Sequence, residues 1–115
     1  MSTQRIEIAV ERLYDTGWRA AADQDVETLA DGRVFPSVLA VQREFARLGL
    51  DLSIKHNMMF NCYRANWQPA DQTLATDLPD EARAGTAVAA CEREAAVYCL
   101  AQLRAVLAEH ELAAV

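Results

Sequence analysis

The residues from Pro36 to Trp67 constrain the fold of this chain more than any other stretch. Apolar residues recur there at three- and four-residue spacing in two runs, and Gly49 lies between the runs. This spacing places side chains on one face of a helix. Pro36 suits a first helical turn, because its missing N–H would be unpaired there anyway, and Gly49 suits a helix end. The stretch therefore predicts two short helices joined by a tight turn.

The second of these helices, from Ser53 to Arg64, carries the residues that we expect to meet a partner. Two helices joined by a glycine-containing turn match a helix-turn-helix, whose second helix enters the major groove of DNA. Lysine and asparagine side chains pair with base edges, and serine and lysine bind phosphate. A plain helical hairpin with a solvated polar side fits the same pattern. The expected DNA-binding residues are Arg43, Arg47, Ser53, Lys55, His56, Asn57 and Arg64.

The charge of the chain is unevenly distributed. The 115 residues suffice for one domain with its own core, and their formal net charge is −6. Residues 33–67 include five basic and two acidic residues, a net charge of +3, whereas residues 68–115 include three basic and eight acidic residues, a net charge of −5. The net charge argues against a nucleic-acid binder. The candidate helix-turn-helix is nevertheless the locally basic segment of this acidic protein, which keeps DNA open as its ligand.

The rest of the N-terminal part also predicts helices. Apolar residues from Ile6 to Trp18 mark a helical stripe, although the alternation of Ile6, Ile8 and Val10 also fits a short strand. We prefer the helix, because the stripe persists and the charged residues fall on its outer side. Residues 20–30 are rich in alanine and acidic residues and predict a second helical piece.

The C-terminal part predicts a linker and one long helix. Residues 68–78 contain proline and polar residues, which are typical of a linker. Residues 79–113 then predict a helix that packs either on the rest of the chain or on a second copy in a homodimer. The expected fold class is all-α, with a helical domain over residues 1–67 that contains the helix-turn-helix at 36–67.

The sequence offers no catalytic motif that we can identify. It has no glycine-rich phosphate loop, no nucleophile elbow and no zinc-type spacing of cysteine and histidine. Cys62, Cys91 and Cys99 are too far apart in sequence to suggest a close pair, and we interpret them as small apolar residues in a reducing cytoplasm. No signal peptide or transmembrane run is recognisable. We therefore expect a cytoplasmic protein without enzymatic activity, cofactor, metal or membrane partner.

One stretch resembles a known family. The residues Ala30-Asp31-Gly32-Arg33-Val34-Phe35-Pro36-Ser37, followed by Ala40-Val41, Leu48-Gly49, Ser53 and Trp67, are similar to the N-terminal DNA-binding region of plasmid KfrA-type regulators. The resemblance covers about a third of the chain. It implies a helical DNA-binding domain followed by a coiled-coil dimerisation region, with Ser53, Lys55, His56 and Asn57 as base or phosphate contacts. An extra residue between Arg33 and Pro36 departs from the family pattern.

Two functions other than DNA binding remain open at this stage. The acidic C-terminal half suits a protein-interaction module, such as an adaptor, an inhibitor or a phage-type anti-defence protein, that binds a basic partner surface. A helical bundle that binds a small molecule is a third possibility. Its pocket would be lined by Met58, Met59, Phe60, Tyr63 and Trp67, although such stripes more often form a core.

Overall fold

The fold is mixed α/β, so the expected all-α class is wrong. The computed structural model describes residues 2–20, 24–70 and 78–114, and the side chains at 6–20, 24–70 and 78–109. Helices and strands are interspersed along these ranges. In chain order the elements are α1 (Ser2–Asp15), β1 (Val26–Thr28), β2 (Val34–Pro36), α2 (Val38–Arg47), β3 (Leu50–Asn57), β4 (Cys62–Pro69), α3 (Asp80–Arg83), β5 (Gly85–Ala89) and α4 (Glu92–Ala114).

Of the two helices expected in the helix-turn-helix, the first is present and the second is not, so the motif is wrong. Its first helix is confirmed as α2, where the Ala40 backbone N–H donates to Ser37 Oγ at 3.2 Å and so caps the helix. Pro36 ends strand β2 instead of opening the helix. The expected second helix, Ser53 to Arg64, is instead part of an antiparallel hairpin of β3 and β4.

The hairpin forms because the sequence alternates with a period of two. Leu50 and Leu52 are buried while Asp51 and Ser53 between them are exposed, as expected for a strand with one face on a core. Strand pairing runs from Leu50 opposite Pro69 to Asn57 opposite Cys62. A four-residue turn at residues 58–61 joins the strands. The helical spacing in this stretch was therefore misleading.

The C-terminal part also differs from the prediction of one helix over residues 79–113. Only residues 92–114 form the long helix α4, and strand β5 precedes it. β5 pairs antiparallel with β4, so the main sheet has the order β3-β4-β5. In the N-terminal part, α1 is confirmed as a helix. The helical piece expected over 20–30 is wrong where it is described, since Val26–Thr28 is a strand, and residues 21–23 lie outside the described ranges.

The core lies between one face of the main sheet and the helices. α2 and α4 pack on the sheet, and α1 packs on α4. Trp67 occupies the centre of the contact: its Nε1 donates to the Ala82 backbone oxygen at 2.9 Å, and its ring lies 5.3 Å from the ring of Phe45. A Cβ atom at Gly85 would overlap the Trp67 indole. Glycine at this position therefore allows β5 to approach β4 where the tryptophan is stacked.

Along its described residues, the protein has no helix that combines the length and apolar character needed to cross a membrane.

Candidate functional site

The distal end of the β3–β4 hairpin projects from the fold. Near its base the inward side chains of Leu52, Ala65 and Trp67 are buried. β5 pairs with β4 only from Tyr63 to Trp67, so beyond Tyr63 the hairpin is a two-stranded ribbon. We call residues 55–64 the hairpin tip; Tyr63 and Arg64, where the tip begins, still pair with β5. An isolated ribbon buries little surface of its own, so the side chains of the tip are available to a partner.

Three consecutive large apolar side chains are exposed at the turn of the hairpin tip. Met58 is 84% exposed, Met59 85% and Phe60 73%. Other large exposed apolar residues, such as Ile8 and Leu39, are 47% and 49% exposed and occur singly on helices. A contiguous apolar patch on a protein surface is typical of an interaction site. Methionine also adapts its shape to different partners, because it is unbranched and has three rotatable bonds.

Polar side chains hold the turn in a defined conformation. The Asn57 side-chain oxygen accepts the backbone N–H groups of Met59, at 3.0 Å, and of Phe60, at 3.3 Å. Asn61 has a φ of 47°, a left-handed conformation that asparagine tolerates better than most residues. His56 Nε2 lies 3.3 Å from the Asn61 side-chain oxygen. Two backbone N–H groups of the turn are thus bonded to an asparagine side chain, and among the described residues no hydrogen bond or ring contact of the Met58, Met59 or Phe60 side chains holds the turn.

The ring of His56 stacks on that of Tyr63, with their centroids 4.6 Å apart. These two residues are directly opposite each other in the strand pairing. Such a cross-strand aromatic pair stabilises a ribbon by about 0.2–1 kcal/mol. The pair links the exposed His56 to Tyr63, which packs against the edge of the core.

Two cations lie opposite each other on the outward face of the hairpin tip. Lys55 pairs in register with Arg64, and both side chains are exposed. Like charges in this position destabilise a sheet, and neither residue has a carboxylate within ion-pair distance in the described ranges. The hairpin tip has two basic and no acidic residues, so with the chain at −6 the rest of the sequence carries −8. The tip is therefore a cationic projection on an acidic body.

A surface groove joins the cationic and apolar parts of the hairpin tip. Its volume is about 610 Å³. Within it the apolar side chains of Met58 and Phe60 lie alongside the basic groups of the strands. The groove is lined by Lys55, His56, Asn57, Met58, Phe60, Cys62, Arg64 and Val88.

The structure brings some of the predicted DNA-binding residues together and leaves others apart. Four of them, Lys55, His56, Asn57 and Arg64, line the groove, although on strands and not on a reading helix. Ser53 lies further down β3. Arg43 and Arg47 lie on α2, and Arg47 pairs with Glu44 at 3.2 Å. The expected mode of DNA reading is therefore wrong, because the helix that it required does not exist.

The sequence interpretation missed the exposure of the three apolar residues at the turn. It placed Met58, Met59 and Phe60 with Trp67 in one possible pocket, but Trp67 is in the core and the other three are at the opposite end of the hairpin. The signal that was available is the pair of asparagines, Asn57 and Asn61, that bracket the apolar residues. Asparagines at both ends of such a short run favour a turn.

The described residues show no metal centre, and their most buried cysteine is unreactive. No group of three or more histidine, cysteine, aspartate or glutamate side chains among them could hold a metal ion. Burial raises the pKa of the Cys99 thiol to about 12, so this cysteine stays protonated at neutral pH and is a poor nucleophile. Its Sγ lies 3.6 Å from the Ala65 backbone oxygen, inside the core.

Comparison of the chain with family models, with curated proteins and with solved structures gave no match. The resemblance to KfrA-type regulators therefore stays a prediction, as do the homodimer and the cytoplasmic location.

Proposed function

We propose that this protein is a protein-interaction module that docks its hairpin tip into an apolar pocket with an acidic rim on a partner protein. The observation that carries the proposal is the exposure of Met58, Met59 and Phe60 in a turn that the Asn57 side chain holds through two backbone N–H groups. Apolar side chains in this position contribute to binding and not to the fold. Methionine and aromatic residues are also enriched in protein interfaces.

The apolar side chains of Met58, Met59 and Phe60 are together large enough to anchor a partner protein. Full burial of one methionine or phenylalanine side chain is worth about 1.5–3 kcal/mol, so the three together contribute on the order of 5 kcal/mol before the entropy cost of association. The fixed turn lowers that cost, because the side chains are presented by an ordered backbone. Anchors of this kind typically supply most of the binding energy of an interface.

The charges of the molecule favour a protein over other macromolecules as the partner. Nucleic acids and anionic membranes present continuous negative charge, which would repel a body of charge −8 behind the hairpin tip. A protein can place carboxylates only around the pocket, close to Lys55 and Arg64. The attraction is then local, and charges beyond about 10 Å are screened by salt.

This proposal keeps the protein-interaction class that the sequence suggested and changes the surface. The earlier interpretation used the acidic C-terminal half against a basic partner, and that contact stays a prediction. The hairpin tip instead requires a partner of opposite sign, since Lys55 and Arg64 have no carboxylate of their own within ion-pair distance among the described residues. A partner that approaches both surfaces would need a basic region facing the body and an acidic one facing the tip.

Affinity capture with a matched control tests the proposal. The tagged wild-type protein is compared with a triple variant, Met58→Ser, Met59→Ser and Phe60→Ser, in extracts of the source cells, with quantitative mass spectrometry as the readout. The control combines Ile8→Ser and Leu39→Ser, which also remove exposed apolar groups, but on helices. We expect a partner that the wild type and the control retain equally and that the tip variant loses. Recovery of the same partners by all three proteins would contradict the proposal.

A further inference from the structure

The outer edge of strand β5 has backbone groups that point away from the sheet. This follows from the hydrogen bonding of β4. The Ala70 N–H donates to the Gly49 oxygen at 2.9 Å, just beyond the last pair of β3 and β4. In an antiparallel ladder the residues of one strand bond alternately to the neighbours on its two sides. The even-numbered residues of β4 therefore bond to β3, and the odd-numbered ones bond to β5.

The same alternation continues into β5. The odd-numbered residues of β4 are opposite Gly85, Ala87 and Ala89, so these three bond to β4. Thr86 and Val88 then direct their N–H and C=O groups to the opposite side. Neither makes a backbone hydrogen bond outside the ladders in the part of the chain that is described. Two donors and two acceptors along this edge thus have no backbone partner among the described residues.

The edge lacks the features that usually protect a free strand. Natural proteins place charges, prolines or bulges on exposed edges to prevent strand addition. β5 has the sequence Gly-Thr-Ala-Val-Ala, without charge or proline, and pairs with β4 without a bulge. The other edge strand, β3, carries Asp51, Lys55 and His56. One edge strand of the sheet, β3, therefore carries charged residues, and the other, β5, carries none.

A cleft runs beside the free edge. Its volume is about 540 Å³, and four consecutive β5 residues, 86–89, form one wall. The opposite wall includes Arg12 of α1 with Glu94, Tyr98 and Gln102 of α4, and the Glu94 side chain is buried. A cleft between a strand edge and a helix accommodates an extended chain, which can bond to the edge while its side chains contact the helix.

The side chains around this edge favour an acidic ligand. The Arg12 guanidinium lies over the Tyr98 ring, 5.8 Å from its centroid. On the other face of the sheet, Arg64 is opposite Val88 in the strand pairing. Across the described ranges, neither arginine has a carboxylate within ion-pair distance. Guanidinium groups without a carboxylate partner on both sides of a strand edge complement an anionic chain.

We propose that an extended, acidic segment of a partner protein adds to β5 as a fourth strand. Its backbone bonds to Thr86 and Val88, and its carboxylates meet Arg12 and Arg64. This site shares Arg64 with the hairpin tip but does not require Met58, Met59 or Phe60. A second copy of the chain is a poor occupant, because its own β5 has no carboxylate and two bodies of charge −6 repel each other.

Removal of one backbone N–H tests the proposal. Val88→Pro deletes an N–H that points away from β4, a position where an edge strand tolerates proline. Val88→Thr is the matched control, since it keeps the N–H and the branched shape. The probe is a fluorescein-labelled, N-acetylated and C-amidated peptide of alternating glutamate and valine, about six residues long. A second probe replaces glutamate with lysine, and a third carries N-methyl groups on alternate amides.

We expect the glutamate peptide to bind the wild type and Val88→Thr with affinities within about twofold of each other, measured by fluorescence anisotropy. Binding to Val88→Pro should be at least about tenfold weaker, because a backbone hydrogen bond is lost and its acceptor is left unpaired. The wild type should bind the lysine peptide and the N-methyl peptide at least about tenfold more weakly than it binds the glutamate peptide. These two probes keep the test decisive if Val88→Pro does not fold.

Several outcomes would overturn the inference. One is absence of binding to the folded wild type at about 1 mM peptide, a weak limit for a short segment. The inference would also be overturned if the wild type bound the lysine peptide, or the N-methyl peptide, as tightly as it binds the glutamate peptide. A dimer of the wild type in analytical ultracentrifugation that Val88→Pro abolishes would assign the edge to a second copy. The Met58→Ser, Met59→Ser, Phe60→Ser variant should bind the glutamate peptide like wild type, so the two proposals fail separately.

Discussion

The two ends of the β3–β4 hairpin differ in whether their apolar side chains are buried or exposed. At the base, Leu52 and Trp67 are paired across the strands and both are buried. At the tip, Met58 and Phe60 are exposed by more than two thirds. The base is covered by helices and by β5, whereas the turn of the tip, beyond Tyr63, extends past β5. Apolar residues therefore stabilise the fold at one end and are left for a partner at the other.

The difference shows that exposure of apolar groups is a property of position along the hairpin and not of composition. The turn at the tip is built from the polar side chains of Asn57 and Asn61, so it does not depend on the apolar ones. The base includes a close contact between Gly85 and Trp67 that leaves no room for a side chain at position 85. Changes at the base should alter stability, and changes at the tip should alter binding.

The strongest test of this comparison adds one methyl group at the base and removes a whole ring at the tip. Gly85→Ala places a Cβ where the Trp67 indole lies, and the overpacking should lower the free energy of unfolding by about 3 kcal/mol or more. Phe60→Ala should change it by no more than about 0.5 kcal/mol, since the ring is exposed. Urea denaturation measures both. An equal loss of stability in the two variants would break the comparison.

The two cysteines of the hairpin region provide a second test. Cys99 is buried against the base, and Cys62 is half-buried at the tip. Iodoacetamide at pH 8 should label Cys62 in the native protein and Cys99 only after unfolding, because the buried thiol has a pKa of about 12. Peptide mapping by mass spectrometry measures the labelling. Rapid labelling of Cys99 in the native state would mean that the base opens easily.

The raised pKa of Cys99 also predicts a pH dependence of stability. Its ordinary pKa is 9.0 and its folded value is about 12. Between these values the unfolded thiol loses its proton while the folded one keeps it, so rising pH favours unfolding. Relative to Cys99→Ala, the free energy of unfolding should fall by about 1.4 kcal/mol per pH unit between pH 9 and 12. Identical slopes for the two proteins would contradict the burial of this thiol.

The smallest expected effect is at the tip, where Lys55 and Arg64 are opposite each other. Lys55→Glu replaces a repulsive pair with an attractive one and should raise the free energy of unfolding by about 0.5 kcal/mol. Lys55→Gln, which only removes the repulsion, should lie between the wild type and Lys55→Glu in urea denaturation. The same change should weaken binding to an acidic rim. A Lys55→Glu variant that is less stable than wild type would contradict the arrangement of the two cations.

The helices of the N-terminal part were predictable from the sequence because their signals are local. The apolar stripe of α1, the Ser37 cap and the Gly49 stop are all read within a few residues. The hairpin was not, since a four-residue spacing such as Ile54 to Met58 returns to the same face in a helix and in a strand. Only the alternation from Leu50 to Ile54 distinguished the two, and it is short.

For a different reason, the sequence did not predict strand β5. Gly85 and Ala89 suggest the close approach of two helices as readily as the close approach of a strand to a bulky side chain. The reason for the glycine is Trp67, eighteen residues earlier in the chain, and such a contact is not visible without the fold. The site was partly predictable: Lys55, His56, Asn57 and Arg64 do come together. The exposure of the methionines was not, because apolar residues usually lie inside.

Site-specific photo-crosslinking tests the central claim most directly. A benzophenone side chain replaces Phe60 in one protein and Leu39, an exposed residue on α2, in the other. In the source cells, the probe at position 60 should give one dominant crosslink to another protein, at acidic and apolar residues, and the probe at position 39 should not. Crosslinks from position 60 only to lipid, only to a second copy of the chain, or to the same proteins as position 39 would contradict the account.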